Sequence, residues 1–482
     1  MLFNSIEFMI FLPIVFILYW FITNRNLKLQ NALLLVASYI FYGWWDWRFL
    51  SLIAFSSIVD YSVGIGLGKH EDSRKRKLLL LTSILVNLGF LMYFKYYNFF
   101  IDSFIDAFSF MGQSFHPSRL KIILPVGISF YTFQTLSYSI DVYRKKLEPT
   151  KDIIAFFAFV SFFPQLVAGP IERATHLLPQ FYSKRTFDYH KAADGTRQIL
   201  WGLFKKIVIA DNCALVANSV FNNYQDQSGI TLVLGVIFFT FQIYGDFSGY
   251  SDIAIGTSRL FGFNLMKNFA FPYFSRDIGE FWRRWHISLS SWFRDYLYIP
   301  LGGSRGGNLK KIRNTLIIFL VSGFWHGANW TFVFWGGLNA LYFIPLLLSK
   351  KNRQNINTVA EGRIFPSIKE FFQIIFTFTL TAFAWIFFRA ESITMAFDYI
   401  RLMIVNFELT MPVGTDIGIK QHFGIILVLF ILAEWLQRDK EHALEIAENK
   451  LHIVVRWTAY YSIIAIILLF AGAQQDFIYF QF

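Results

Sequence analysis

Residues 314–349, NTLIIFLVSGFWHGANWTFVFWGGLNALYFIPLLLS, contain no Asp, Glu, Lys or Arg. As one helix this stretch would be about 54 Å long, whereas the hydrocarbon core of a bilayer is about 30 Å thick. The stretch must therefore fold back or break, and we expect the break at the two glycines, Gly323 and Gly327, that flank His326. This pattern predicts two membrane helices, with His326 on irregular backbone in or near the membrane.

The composition of the whole chain also indicates a membrane protein. Of its 482 residues, 55% are hydrophobic and 16% are charged, whereas about a quarter of a soluble domain is charged. A soluble enzyme is excluded on this ground. Disorder is excluded because 20% of the residues are aromatic. The net charge of +12 is typical of cytoplasmic loops that set membrane topology, and we prefer this interpretation to nucleic-acid binding.

Further apolar windows occur along the chain. Together they predict an all-α polytopic fold with about eleven to thirteen membrane helices, some of them short, broken or re-entrant. The first window reads as a helix that stays attached rather than a cleaved signal peptide. The windows are residues 8–22, 32–45, 50–67, 78–97, 122–140, 153–167, 199–221, 230–244, 371–388, 424–435 and 454–473.

The basic residues cluster in the connections between these windows, at residues 69–77, 144–146, 305–313 and 350–353. Such loops are expected on the cytoplasmic side. The glycine-rich run at residues 302–307 lacks the Lys-Ser/Thr of a phosphate-binding P-loop, so a flexible connection is one interpretation. The alternative is an electrostatic role in attracting a phosphate-bearing cytosolic donor, and its candidate residues are Arg305, Lys310 and Lys311.

Aromatic residues recur at helical spacing through residues 281–300, FWRRWHISLSSWFRDYLYIP. This spacing predicts an amphipathic helix at the interface or at the rim of a cavity, with Arg283 and Arg284 available to phosphate groups. His286 falls on or beside the buried face of that helix. It is either a functional group or a histidine hydrogen-bonded inside a helix bundle.

His326 is the stronger candidate for chemistry. Ionisable groups at membrane depth are costly and by default indicate function, and imidazole suits proton transfer near neutral pH. The alternative is a structural histidine that caps a broken helix.

Two aspartates, Asp246 and Asp252, lie in YGDFSGYSD. They could orient a histidine, as a buried carboxylate does, or bind backbone amides at a helix start. The lone Cys213 excludes an intramolecular disulfide and is expected to be a small buried residue. The histidines form no HExxH pair, so no metal site is predicted, and no GxSxG elbow is present.

Four motifs in order resemble those of the membrane-bound O-acyltransferase superfamily. They are FQIYGDFSGYSDIAIG at 241–256, FPQLVAGPIER at 163–173, VSGFWHGANWTFVFW at 321–335 and the run at 281–303. Within the superfamily, the chain is similar to the bacterial branch of alginate and peptidoglycan O-acetyltransferases. The resemblance covers nearly the whole chain, including its opening MLFNSIEFMIFLP and its last seven residues.

The resemblance implies a single domain over residues 1–482, folded as a ring of tilted helices around a funnel. We divide it into N-terminal helices (1–118), a catalytic core (119–348) and C-terminal helices with an aromatic tail (349–482). His326 then corresponds to the catalytic histidine of the family and His286 to its second active-site histidine. Trp325 and Asn329 are expected to support them.

The resemblance also implies a reaction. Acetyl would move from a cytosolic thioester, acetyl-CoA, toward hydroxyl groups of an exported polysaccharide or cell-wall glycan, with no bound cofactor. A separate partner of the SGNH-hydrolase type would complete the transfer outside a bacterial cytoplasmic membrane. Membrane lipid is an expected partner and nucleic acid is not.

The ending FIYFQF resembles an F-x-Y-x-x-F ending in which the tyrosine is proposed to carry the acyl group. Tyr479 is therefore the candidate acyl carrier, with its phenol deprotonated by His326. The alternative is that the tail only anchors at the membrane interface.

Two other classes of protein fit parts of the pattern. A transporter or channel for a small polar solute would also use broken helices and intramembrane charges, but the sequence lacks an inverted repeat. A lipid-linked sugar transferase would need acidic metal-binding motifs, which we do not find.

Overall fold

The computed structural model of the chain describes residues 1–110, 120–167, 169–408, 422–445, 451–472, 475, 477 and 478. Within these ranges the chain forms helices and no strand. The α-helices are α1 (Ile6–Ile17), α2 (Leu27–Gly43), α3 (Leu50–Lys69), α4 (Ser73–Leu91), α5 (Tyr97–Phe110), α6 (Ile128–Tyr143), α7 (Ile153–Ser161), α8 (Phe163–Leu166), α9 (Ala174–Leu177), α10 (Tyr189–Leu203), α11 (Asp211–Asn222), α12 (Gly229–Leu260), α13 (Ile278–Arg284), α14 (Ile287–Phe293), α15 (Asn308–His326), α16 (Trp330–Leu348), α17 (Ile368–Arg389), α18 (Ile393–Val405), α19 (Phe423–Leu436) and α20 (Ile453–Phe470).

Shorter helical segments of other types connect or extend these helices. The 3₁₀ segments are Trp47–Phe49, Leu178–Phe181, Tyr224–Asp226 and Pro272–Phe274. The π-helical segments are Leu18–Ile22, Met92–Tyr96, Phe204–Ala210 and Arg294–Tyr298.

Six helical segments in the described part of the chain are long and apolar enough to cross a membrane. They are Trp47–Lys69, Ser73–Ser109, Gly229–Leu260, Trp330–Leu348, Ile368–Arg389 and Ile453–Phe470, and shorter apolar helices occupy Ile6–Ile22, Ile153–Leu166 and Phe423–Leu436. Every apolar window of the sequence overlaps a helix of the structure. The all-α polytopic membrane fold is thereby confirmed. The total of eleven to thirteen spans, the ring arrangement and the division at residues 118 and 348 stay predictions.

The charge-free run breaks as predicted, but the position of the histidine differs. Helix α15 continues through Gly323 and ends at His326, and α16 begins at Trp330. His326 is therefore the last helical residue of α15 rather than a residue on irregular backbone. The turn is fixed by Asn329, whose side chain caps α16 by accepting a hydrogen bond from the backbone N–H of Thr331.

Helices α15 and α16 form a tight hairpin because glycines face each other across it. A Cβ atom on Gly323 would lie 2.2 Å from the carbonyl oxygen of Phe332, and one on Gly336 would lie 2.2 Å from that of Phe319. Any side chain at either position would push the two backbones apart. This close approach of small residues is typical of helix pairs in membranes.

The prediction of a single amphipathic helix over residues 281–300 is wrong. Helix α13 ends before Trp285, which is extended, and His286 adopts the left-handed conformation with φ 44° and ψ 54°. Helix α14 starts after it and gives way to the π-helical segment Arg294–Tyr298. Left-handed backbone is unfavourable for a residue with a side chain and interrupts a right-handed helix. Tertiary contacts, described below, hold His286 in this conformation.

The chain divides into two compact units. One comprises residues 1–195 and 257–266, and the other comprises residues 196–256 and 267–482. In the first unit, α3, α4 and α6 pack around the fully buried carboxylate of Asp60. It accepts hydrogen bonds from Ser83, Asn87 and Ser139 at 2.5–2.9 Å. Such a satisfied polar cluster specifies how apolar helices pair.

The motif at residues 163–173 also belongs to the first unit. It places Glu172, which is fully buried, between the backbone N–H of Met266 at 2.5 Å and the Nδ1 atom of His176 at 2.7 Å. His176 lies outside the candidate spans, and its hydrogen bond with Glu172 raises the pKa of its imidazole above the usual value. Glu172 therefore ties α9 to the segment that follows α12.

Candidate active site

The second unit brings together the two histidines singled out from the sequence. The rings of His286 and His326 lie 6.3 Å apart, measured between centroids. Both residues are buried, with 1% and 3% of their surface exposed. His326 is positioned by the end of α15 and His286 by the junction between α13 and α14. Such burial excludes bulk water from both imidazoles.

Aromatic rings surround the pair. Trp325, expected to support the site, contacts both histidines, with its ring centroid 5.9 Å from His286 and 4.9 Å from His326. Trp335 and Phe388 lie 5.2 and 5.4 Å from His326. These rings fix the orientation of the imidazoles and give them a dry environment, in which electrostatic interactions are stronger than in water.

The other side of His286 contacts Phe247 and Phe269, at centroid distances of 4.6 and 6.5 Å. His286 lies outside the candidate spans, and burial lowers the pKa of its imidazole to about 3. The ring is therefore neutral at physiological pH, which is the state in which a histidine can accept a proton or a hydrogen bond.

Sequence reasoning missed Asn268, the residue that holds His286. Its Oδ1 atom lies 3.0 Å from the Nδ1 atom of His286. Its backbone carbonyl accepts a hydrogen bond from the N–H of Ile287 at 2.9 Å. Asn268 is fully buried, and the only signal in the sequence is a polar residue among phenylalanines. These bonds stabilise the left-handed conformation of His286.

Among the described residues, Asp246 and Asp252 pair with lysines rather than with a histidine, contrary to the first of the two roles considered for them. In the described ranges, Asp246 forms an ion pair with Lys206 at 2.7 Å and accepts from the backbone N–H of Ile478 at 2.7 Å. Asp252 pairs with Lys205 at 2.6 Å. Asp246 does bind a backbone amide, but at the C-terminal segment rather than at a helix start.

The C-terminal segment is thereby anchored next to the site. Phe477 and Ile478 are buried, and the Nζ atom of Lys206 donates to the carbonyl oxygen of Gln475 at 3.1 Å. The ring of Phe477 lies 4.4 Å from Tyr250 and 6.1 Å from Phe247. Since Phe247 packs on His286, one aromatic ring separates this segment from the histidine. Tyr479 lies outside the described residues.

The predicted donor residues Arg283 and Arg284 already have partners. Arg283 donates to the carbonyl oxygens of Asn352 and Asn355 at 2.6 and 2.7 Å. Arg284 pairs with Glu280 and donates to two further carbonyls. Both arginines therefore hold the connection between α16 and α17 against α13. This structural role accounts for them without a donor.

Arg305, Lys310 and Lys311 lie on or just after the glycine-rich loop, as the sequence indicated. Arg305 and Lys310 are exposed, Lys311 is half-buried, and none of the three has an ion-pair partner in the described ranges. The loop is held by Asn314, which donates to the carbonyl oxygen of Gly303 at 3.0 Å. The result is a cluster of cationic groups open to solvent.

Three remaining expectations concern Asn329, Cys213 and groups of possible metal ligands. Asn329 caps α16 and donates to the carbonyl oxygen of Glu391 at 2.8 Å, so it supports the turn after His326 rather than touching either ring. Cys213 is buried and has a free thiol. Across the described residues, no three His, Cys, Asp or Glu side chains are grouped so that they could hold a metal ion.

Chemically, the site offers two imidazoles in an aromatic chamber. Such an arrangement suits removal of a proton from an oxygen nucleophile and positioning of the reacting group.

Comparisons with known proteins identify the family of the chain. The model of the membrane-bound O-acyltransferase family (MBOAT) matches residues 39–388, a range that contains both histidines. The chain is 41% identical to "Probable alginate O-acetylase AlgI" of Pseudomonas aeruginosa over 399 residues, which cover 82% of this chain and 73% of the relative. The counterpart in Pseudomonas syringae pv. tomato is 42% identical over 399 residues, covering 82% and 74%.

A further relative is named for a different acceptor, peptidoglycan. The chain is 35% identical to "Peptidoglycan O-acetyltransferase" of Helicobacter pylori over 433 residues, which cover 84% of this chain and 80% of the relative. These matches favour acyl transfer over the transporter and sugar-transferase alternatives. Together with the family match, they establish that the chain belongs to the membrane-bound O-acyltransferase family.

Proposed function

We propose that this protein moves acetyl groups from a cytosolic thioester, acetyl-CoA, across a bacterial cytoplasmic membrane toward hydroxyl groups of an exported polysaccharide or cell-wall glycan. The observation that carries the proposal is the pairing of His286 and His326 in a buried aromatic chamber. The names of the relatives support the acetyl group and the glycan acceptor.

In the proposed reaction His326 is the general base. It takes the proton of an attacking hydroxyl as the new O–C bond forms at the thioester carbonyl. The C–S bond then breaks, and the proton held by His326 passes to the leaving thiolate, which departs as CoA toward the cytosolic side. Burial helps because it excludes water, which would otherwise compete as the nucleophile. No metal or redox centre is required for this step.

We propose Tyr479 as the first nucleophile, so that the acetyl group rests on its phenol before it reaches the final acceptor. The support is positional: Phe477 and Ile478 are buried one aromatic ring away from His286. Acetyl-tyrosine would then be attacked by a hydroxyl of the partner or of the glycan. As the new ester bond forms, the bond between the acetyl group and the phenol breaks, and the proton of the attacking hydroxyl passes to the leaving phenolate.

The donor is proposed to be drawn to the cytosolic side by Arg305, Lys310 and Lys311. Their free cationic groups would interact with the phosphates of CoA, an interaction that needs little geometric precision. On the outer side, an SGNH-type partner would pass acetyl to the glycan.

This function is tested by restoring O-acetylation to a strain that lacks the gene. Wild-type protein and His70→Ala, an exposed histidine outside the site, should both restore the O-acetyl content of the exported glycan. His326→Ala should reach the membrane in equal amount and restore none. Full O-acetylation by His326→Ala would overturn the proposal.

A further inference from the structure

The side chain of Asn268 is fixed in orientation by its neighbours. Its Oδ1 atom accepts a hydrogen bond from the backbone N–H of Ser288 at 3.4 Å and lies 2.9 Å from the hydroxyl of the same residue. Its Nδ2 atom donates to the hydroxyl of Ser251 at 3.0 Å. A backbone N–H can only donate, so the atom facing Ser288 must be the amide oxygen.

This orientation determines the tautomer of His286. An amide oxygen can only accept, so the Nδ1 atom of His286, 3.0 Å from Oδ1, must carry the hydrogen. A neutral imidazole has one N–H, and the Nε2 atom therefore has a free lone pair. That atom is buried and has no hydrogen-bond partner in the described residues. A buried acceptor without a partner is costly unless a ligand completes it.

We propose that Asn268 is a positioning residue that holds His286 as the Nδ1–H tautomer and presents Nε2 as a hydrogen-bond acceptor to the hydroxyl of the final acetyl acceptor, while His326 takes the proton of the first nucleophile. The inference rests on the proposed function, because it requires His286 to act in the reaction. It adds a residue, a tautomer and a direction for the hydrogen bond.

The choice of an amide rather than a carboxylate has a chemical consequence. A carboxylate at this position would stabilise the imidazolium form of His286, whereas a neutral amide does not. Asn268 thus orients the ring while leaving it uncharged. An uncharged Nε2 can accept a hydrogen bond, and a protonated one cannot.

Among the described residues, the rings that contact His286 carry no fixed charge. Its ring contacts are Phe247 from α12, Phe269 from the connection after α12, and Trp325 and His326 from α15. His326 is the titratable group among them. Farther from the ring than Phe247, the two aspartates of α12, Asp246 and Asp252, are each paired with a lysine. On the connection after α12, Lys267 donates to the carbonyl oxygen of Lys440.

The test compares Asn268→Asp and Asn268→Ala with the wild type in inverted membrane vesicles given [14C]acetyl-CoA over a range of pH. Asn268→Asp keeps the size of the side chain but places a carboxylate on Nδ1. We expect the acid side of the pH–activity profile of Asn268→Asp to move to higher pH by about one unit or more. In this variant His286 must lose a proton before Nε2 can accept a hydrogen bond. Asn268→Ala should lower kcat about 10- to 100-fold with KM little changed, since positioning is lost and donor binding is not.

Asn339→Ala is the matched control, because Asn339 is equally buried but donates to a carbonyl within its own helix, α16. It should keep the wild-type pH profile. If Asn268→Asp has the wild-type pH profile, or loses activity equally at every pH, the inference is overturned.

His286→Ala separates this inference from the function itself. If His286→Ala is inactive while both Asn268 variants behave as wild type, the inference alone fails. If His286→Ala retains full activity, the proposed role of His286 fails and the role of Asn268 fails with it.

Discussion

The backbone N–H of Ile478 donates a 2.7 Å hydrogen bond to the carboxylate of Asp246, a residue far away in sequence and in the middle of α12. The same carboxylate is neutralised by Lys206, whose ammonium group also holds the carbonyl oxygen of Gln475. A buried ion pair therefore binds the C-terminal segment next to the candidate active site. The sequence separates these groups, and only the fold brings them together.

Breaking this ion pair should release the C-terminal segment. Asp246→Ala leaves Lys206 paired with Asp211 but leaves the buried N–H of Ile478 without its acceptor, so we expect a loss of about 1–3 kcal/mol in the free energy of unfolding. Protease should also cleave the C-terminal segment faster. Asp439→Ala, which removes the exposed partner of Lys440, should cost less than about 1 kcal/mol. Equal stability of the two variants in chemical denaturation would contradict the anchoring role of Asp246.

The hairpin of α15 and α16 should not tolerate a methyl group at its closest contact. Gly323→Ala places a Cβ atom 2.2 Å from a backbone oxygen, so we expect the melting temperature and the yield of folded protein to fall sharply. Gly337→Ala is the control on the same hairpin. Its Cβ atom would meet only the side chain of Leu320 at 3.6 Å, and it should be neutral. A stable, active Gly323→Ala protein would contradict the observed packing.

Tyr479→Phe should remove O-acetylation in vivo while leaving the amount and stability of the protein unchanged, because phenylalanine has the ring of tyrosine but not its nucleophile. Mass spectrometry of the wild type should find acetyl on the C-terminal peptide. Tyr461→Phe, which changes an exposed tyrosine on α20, should behave as wild type. Full O-acetylation by Tyr479→Phe would remove the covalent intermediate from the mechanism.

The bond between Glu172 and His176 should make stability depend on pH. Since this bond raises the pKa of His176 in the folded state, its contribution is complete below the unfolded pKa of about 6.5 and is lost as pH rises through the folded pKa. The melting temperature should therefore decline as pH rises above about 6.5. His176→Gln should flatten that decline. An identical decline in both proteins would assign the pH dependence to other groups.

The sequence predicted the membrane fold because length and composition limit what a bilayer accepts. The break after His326 followed from a charge-free run too long for one span, and the structure confirms it. The resemblance of four ordered motifs was needed to associate His286 with His326, because no spacing rule connects residues on α13–α14 with the end of α15.

Tertiary contacts explain where the predictions failed. The helical spacing of aromatic residues over 281–300 gave no sign that Asn268 would draw His286 into the left-handed conformation. Local sequence likewise could not identify the partners of Asp246, since Lys206 and Ile478 are remote in the chain. Asn268 could not be identified from the sequence, because a single asparagine in an aromatic loop forms no recognisable sequence pattern.

The central claim is that His326 is the base in acetyl transfer. It is tested most directly by the initial rate at which [14C]acetyl enters the alkali-labile O-acetyl groups of the glycan. Membranes containing the full chain and its partner proteins receive [14C]acetyl-CoA on the cytosolic face. We predict that His326→Ala lowers this rate by about 100-fold or more, while His70→Ala keeps the wild-type rate. A His326→Ala rate equal to that of the wild type would contradict the account.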